Sequence, residues 1–154
     1  GSKIIMDNVR NNYIHVGVDP YGNLEYQHYD HTGEYTCDYT DQMRDTMLND
    51  FKPYRNQGKF TLCNMTDIKF MNDTEHRFSK FAFVHFDGPH MTKDVITEAI
   101  WFANRAANNT RFVFDDYTKY NMSTVAKCLK FYGFITTDRG SNKCLMTNWK
   151  GNNE

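Results

Sequence analysis

The sequence predicts an α/β domain whose sheet is mainly parallel. Three observations lead there. Apolar, β-rich segments alternate with amphipathic helical ones along the 154 residues. Three of the strand-like segments end in aspartate, at Asp19, at Asp87 and at the Asp115-Asp116 pair. Near the end, a helix closed by Gly133 precedes two short strands around residues 138–142, which predicts a C-terminal antiparallel hairpin.

Residues 3–9 carry Ile4, Ile5, Met6 and Val9 and read as a short helix. Residues 13–18 form a β-rich run that stops at Asp19-Pro20. Residues 20–40 are an excursion rich in tyrosine and histidine, with turn signals at Tyr21-Gly22-Asn23 and Thr32-Gly33. Between 41 and 51 the residues Met43, Met47, Leu48 and Phe51 share one helical face, which Pro53 is expected to close. Residues 60–65 and 81–86 read as strands. Thr92 is placed to cap a helix burying Val95, Ile96, Ala99, Ile100, Ala103 and Ala106. A strand at 111–114 follows, then a helix at 123–132 with Val125, Cys128, Leu129 and Tyr132 on one face. Strands at 134–137 and 143–147 complete the pattern.

Length fits a single domain, 1–154. Eighteen Lys and Arg are dispersed among nineteen Asp and Glu, for a net charge of −1. Without a basic run or basic-aromatic stripe, a nucleic-acid partner is not expected. No apolar run approaches the ~18 residues of a membrane span, and no signal-peptide pattern opens the chain. A cytoplasmic protein with no membrane partner is the expectation. The cysteines, Cys37, Cys63, Cys128 and Cys144, have no metal-binding spacing and read as reduced structural thiols.

Ligands of open α/β sheets bind beyond the carboxyl ends of the strands. Acids there can hold ribose hydroxyls or a hard divalent cation. Adjacent carboxylates repel when both are ionised, which a bound cation relieves. An aspartate after a strand is equally a turn former or helix cap; its recurrence at three strand ends is what points to a site. His90, three residues beyond Asp87, can take a proton from a hydroxyl or bind metal. On spacing alone, an exposed loop histidine with local hydrogen bonds is the simpler reading. His85 and His15 sit within apolar strands and read as buried. The tyrosines of the excursion, Tyr21, Tyr26, Tyr29, Tyr35 and Tyr39, suit a lid or a contact with a second subunit, so a homo-oligomer stays open.

The stretch Phe81-Ala-Phe-Val-His-Phe-Asp-Gly-Pro-His90, an amphipathic helix, then Phe112-Val-Phe-Asp-Asp-Tyr117 resembles the macrocin O-methyltransferase-like family. These are class I S-adenosylmethionine-dependent methyltransferases. Val16-Gly-Val-Asp-Pro-Tyr-Gly-Asn23 resembles their second strand with its acidic end, and the last helix and hairpin resemble the end of their fold. The resemblance implies a Rossmann-like fold and O-methyl transfer to a hydroxylated small molecule or sugar. It also implies that Asp19 holds the cofactor ribose and that Thr66 and Asp67 lie near the adenine. Asp87, Asp115 and Asp116 correspond to ligands of Mg²⁺ or a similar divalent cation, and His90 to a candidate base. Two departures stand out. Pro89 replaces the acid before the histidine, and no G-x-G turn occurs, so the chain opens in what would be the first helix and the fold is expected to be N-terminally incomplete. The competing readings are an inactive methyltransferase-fold module for binding or assembly, and another Mg²⁺-dependent α/β enzyme such as a phosphate-ester hydrolase.

Overall fold

The computed structural model describes residues 2–8, 13–22, 25–27, 34–36, 39–73 and 80–148. The chain divides into two compact units, Gly1–Asp73 and Thr74–Glu154.

In the first unit, helix α1 (Ser2–Asn8) and strand β1 (His15–Val18) precede two short strands, β2 (Glu25–Gln27) and β3 (Glu34–Thr36). Helices α2 (Asp41–Asp50) and α3 (Lys52–Asn56), strand β4 (Phe60–Cys63) and helix α4 (Asp67–Asp73) follow. Strands β1 and β4 pair in parallel, in a register running from His15 opposite Phe60 to Val18 opposite Cys63. The His15 ring stacks on Phe60 at 5.6 Å and is half-buried, its Nε2 lying 3.2 Å from Ser2 Oγ. The excursion forms its own antiparallel ribbon, β2 with β3. Its base is closed by a hydrogen bond from Gly22 N to Tyr39 O, 2.7 Å, with Gly22 at φ 112, where glycine alone is comfortable. Thr32-Gly33, Cys37, His28, His31, His76 and the side chains of Tyr26, Tyr29 and Tyr35 lie outside the described residues.

Helix α2 starts at Thr40, whose hydroxyl accepts from Met43 N at 3.2 Å. Pro53 does not simply end a helix. It sits in the first turn of α3, where the lack of an N–H costs nothing. The predicted apolar face of α2 is present but only partly covered: the helix has no fully buried residue, Met47 and Leu48 are half-buried, and Met43 is 48% exposed. Helix α4, for which the sequence offers no clear period, buries Phe70 and Met71.

The second unit runs β5 (Phe81–Phe86), α5 (Thr92–Ala103), β6 (Ala106–Asp115), a 3-10 turn (Tyr117–Lys119), α6 (Met122–Lys130), β7 (Phe134–Arg139) and β8 (Lys143–Asn148). Its sheet has the order β5-β6-β8-β7. Strands β5 and β6 are parallel, and the hairpin lays β8 antiparallel between β6 and β7. The C-terminal hairpin is thus as predicted. The expectation of a mainly parallel sheet needs amending: among the described residues parallel pairing is confined to β1 with β4 and β5 with β6. A hairpin can only return antiparallel, and here both the excursion and the C-terminus are hairpins.

Period-2 alternation builds the core. Val84, Phe86, Phe112, Phe114, Cys144 and Met146 point to one face, covered by Val95, Ala99 and Ala103 of α5 and Val125 and Leu129 of α6. Phe86 stacks on Phe114 at 4.5 Å and Phe112 on Phe134 at 4.2 Å. Strand β6 begins five residues before the predicted 111–114 run. Its first half is irregular, and Thr110 and Asn148 satisfy it from within. Thr110 N donates to Asn148 Oδ1 at 2.7 Å, and Asn148 Nδ2 donates to Ala107 O at 3.0 Å. Thr92 does not cap α5; that position falls to Met91, and the Thr92 hydroxyl instead accepts from Asn121 N at 2.9 Å, tying the start of α5 to the start of α6. Among the described residues no helix is long and apolar enough to cross a membrane.

Candidate functional site

The same alternation that buries Val84 and Phe86 turns Phe83, His85 and Asp87 to the other face of the sheet. In the parallel register Phe86 stands opposite Phe114. One step further, at the carboxyl ends of both strands, Asp87 comes beside Asp115. His85, Asp87 and Asp115 each offer a ligand atom, and these atoms lie within 4.8 Å of one another. His85 Nε2 is 3.4 Å from Asp115 Oδ2. Asp87 is exposed, whereas Asp115 is largely covered. Two of the three are the predicted ligands Asp87 and Asp115.

Asp115 is well held. Its Oδ1 accepts from Asp116 N at 2.9 Å and from Asn142 Nδ2 at 3.4 Å, and its Oδ2 accepts from Lys143 Nζ. Lys143 stands opposite Asp115 in the β6–β8 ladder, so backbone pairing delivers the ammonium. That hydrogen bond, above all, holds the Asp115 carboxyl below its ordinary range.

Asp116 plays a different part. It takes left-handed backbone angles, φ 47 and ψ 32, as aspartate tolerates better than most residues. The turn swings its carboxylate away from the strand, onto Lys119 Nζ at 2.6 Å and to 3.6 Å from His90 Nε2. Asp116 is therefore not one of the three grouped residues; His85 stands where the resemblance put it. The apolar neighbours of His85 predict a buried side chain, and it is instead 27% exposed beside the acids. Its spacing of two from Asp87 carried the signal, since i and i+2 share a face of a strand.

His90 Nε2 is buried and, among the described residues, has no hydrogen-bond partner, with the Asp116 carboxylate just beyond reach. Its ring stacks against Tyr120 at 6.4 Å. Burial pushes the Tyr120 phenol well above its ordinary range, so it stays protonated and donates to Asp115 O at 3.1 Å. Beneath this loop α5 buries Asp94 and Glu98, acids that the apolar pattern of that helix does not announce. Glu98 Oε1 lies 3.8 Å from where a Cβ on Gly88 would sit.

In the first unit, Asp19 follows β1 and the 64–67 turn follows its parallel neighbour β4. Asp19 N continues the ladder by donating to Cys63 O at 3.3 Å. Asp19, Thr66 and Asp67 thus stand at the carboxyl end of one parallel pair. Thr66 has a structural duty there, its hydroxyl accepting from Lys69 N at 3.2 Å to start α4. Asp67, in the first turn of that helix, suits the positive end of the helix dipole. Of the described cysteines, Cys63 and Cys144 are buried and Cys128 half-buried, none of the three in a disulfide, and burial raises the Cys144 thiol.

No family model and no curated protein matches the chain. Among solved structures it is similar to a Methanococcus jannaschii fibrillarin pre-rRNA processing protein. The TM-score is 0.45, with 11% identity over 73% of this chain and 54% of that one. The chain therefore spans about half the length of that protein.

Proposed function

We propose that the chain is an S-adenosylmethionine-dependent O-methyltransferase domain acting on a hydroxylated small molecule or sugar, with a divalent cation at the second unit's site. One observation carries the reading: both parallel pairs, β1–β4 and β5–β6, present acids at their carboxyl ends, where α/β sheets bind ligands. The sequence resemblance around Asp87, His90 and Asp115-Asp116 supplies the chemical class. The cofactor, when bound, supplies the methyl group from a sulfonium.

Asp19 would hold the ribose hydroxyls, with Thr66 and Asp67 beside the adenine. His85, Asp87 and Asp115 fit a divalent cation, since they combine one imidazole with two carboxylates within 4.8 Å. The imidazole suits Mn²⁺ better than Mg²⁺, which favours an all-oxygen shell. Bound there, the cation would lower the pKa of a substrate hydroxyl. His90 takes the hydroxyl proton, and the Asp116 carboxylate beside its Nε2 steadies the imidazolium that results. Tyr120 fixes the plane of the imidazole by stacking.

Calorimetric titration with S-adenosylhomocysteine tests the reading without knowledge of the acceptor. Wild type should bind weakly, since no G-x-G turn is present to approach the methionine part of the cofactor, and Asp19→Ala should bind at least about ten-fold more weakly still, a loss of ~1.4 kcal/mol. No binding by wild type up to millimolar ligand overturns the enzyme reading in favour of a binding or assembly module.

A further inference from the structure

The group of His85, Asp87 and Asp115 already contains a cation of its own. Lys143 Nζ donates to Asp115 Oδ2, and the same oxygen faces His85 Nε2 at 3.4 Å. The other oxygen, Oδ1, is engaged by Asp116 N and Asn142 Nδ2. Oδ2 is therefore the oxygen a metal ion would use, and it is the one the ammonium holds. An ammonium and a divalent ion on one carboxylate oxygen repel at contact distance, more strongly than in bulk water because Asp115 is only 13% exposed. The lysine is free to leave. Its side chain is 50% exposed, and it sits directly after the 140–142 turn at the start of β8, so its flexible stem can swing into water. Its return is guided by the ladder that places residue 143 opposite residue 115.

We infer that Lys143 is a built-in competitor for the divalent-cation site: its ammonium occupies the cation position on Asp115, and a metal ion binds only by displacing it. This rests on the proposal that His85, Asp87 and Asp115 hold a divalent ion. It predicts that wild type binds metal weakly by construction of the site, and that affinity is set as much by Lys143 as by the ligands themselves.

The test is Mn²⁺ titration followed by electron paramagnetic resonance of the free ion, on the whole chain at fixed pH and salt. The proteins are wild type, Lys143→Met, Lys143→Gln, Lys143→Arg and Asp115→Asn, with circular dichroism as the check on folding. Removing the ammonium by either Met or Gln should tighten Mn²⁺ binding about ten-fold or more. Arginine should keep the affinity close to wild type, because it preserves the competing charge. If the Met and Gln variants bind no tighter than wild type while Asp115→Asn abolishes binding, the metal site stands and the competitor is refuted. If Asp115→Asn binds as well as wild type, or no protein binds Mn²⁺, the metal reading itself fails and the inference with it.

Discussion

Helices α2 and α6 look alike as sequence and differ as structure. Each carries apolar residues at helical spacing, and each is begun by a side-chain cap, Thr40 for α2 and Asn121 for α6. Yet α6 buries Met122, Val125 and Leu129, the last two fully, against a sheet of stacked phenylalanines, while α2 buries none of its residues. Periodicity says which face of a helix is apolar. Whether a layer covers that face depends on residues far away in the chain. For α6 the layer comes from β6, β7 and β8, whose inward positions are Phe, Cys and Met.

The comparison is sharpened most by truncating its covered side. Leu129→Ala should cost about 2–5 kcal/mol, the range for emptying a packed leucine site. Urea unfolding followed by circular dichroism measures it, and a loss under 1 kcal/mol would mean that α6 is not packed as described. A smaller effect is expected at the end of the same helix. Gly133 has φ 80, and a Cβ there would meet nothing within 4 Å. Gly133→Ala therefore isolates the backbone cost of the left-handed conformation, ~1–2 kcal/mol, and an unchanged unfolding midpoint would contradict that turn. The smallest effect belongs to α2. Met43→Ala should stay within about 0.5 kcal/mol, since half the side chain is already in water and alanine favours the helix. A loss above 2 kcal/mol would break the comparison, because it would mean that something covers this face in solution.

Much of the second unit could be read directly from the residues. Strand 81–86 agrees residue for residue with β5, and the end of α6 with Gly133 and the β7–β8 hairpin follow the prediction closely. The signals there are strong and local: aromatic alternation, a helix-ending glycine and a polar turn. The first half of β6 and helix α4 escaped. Residues 106–110 are Ala, Ala, Asn, Asn and Thr, with no β-rich signal; Ala106 reads as part of the preceding helix, which ends at Ala103, and the strand's pairing depends on Asn148, dozens of residues away. Helix α4 is only two turns long, so two buried side chains were too few to show a period.

The candidate site divides in the same way. Its acids were legible because each ends a strand, and Asp87 and Asp115 come together as the parallel reading required. The roles of Asp115 and Asp116 were not. Adjacent in sequence and identical in chemistry, they are separated by one left-handed turn, which leaves one on the strand face and sends the other to Lys119 and His90.

The sequence by itself determined the α/β character of this protein, the C-terminal hairpin and the acids that mark the strand ends, because period, caps and turn residues act over a few positions. Only the tertiary structure decided that His85 joins Asp87 and Asp115, and that Lys143 reaches the same carboxylate. Those contacts are set by strand register, and register between segments 28 residues apart, as in Asp115 and Lys143, follows from how the two faces of a sheet are buried.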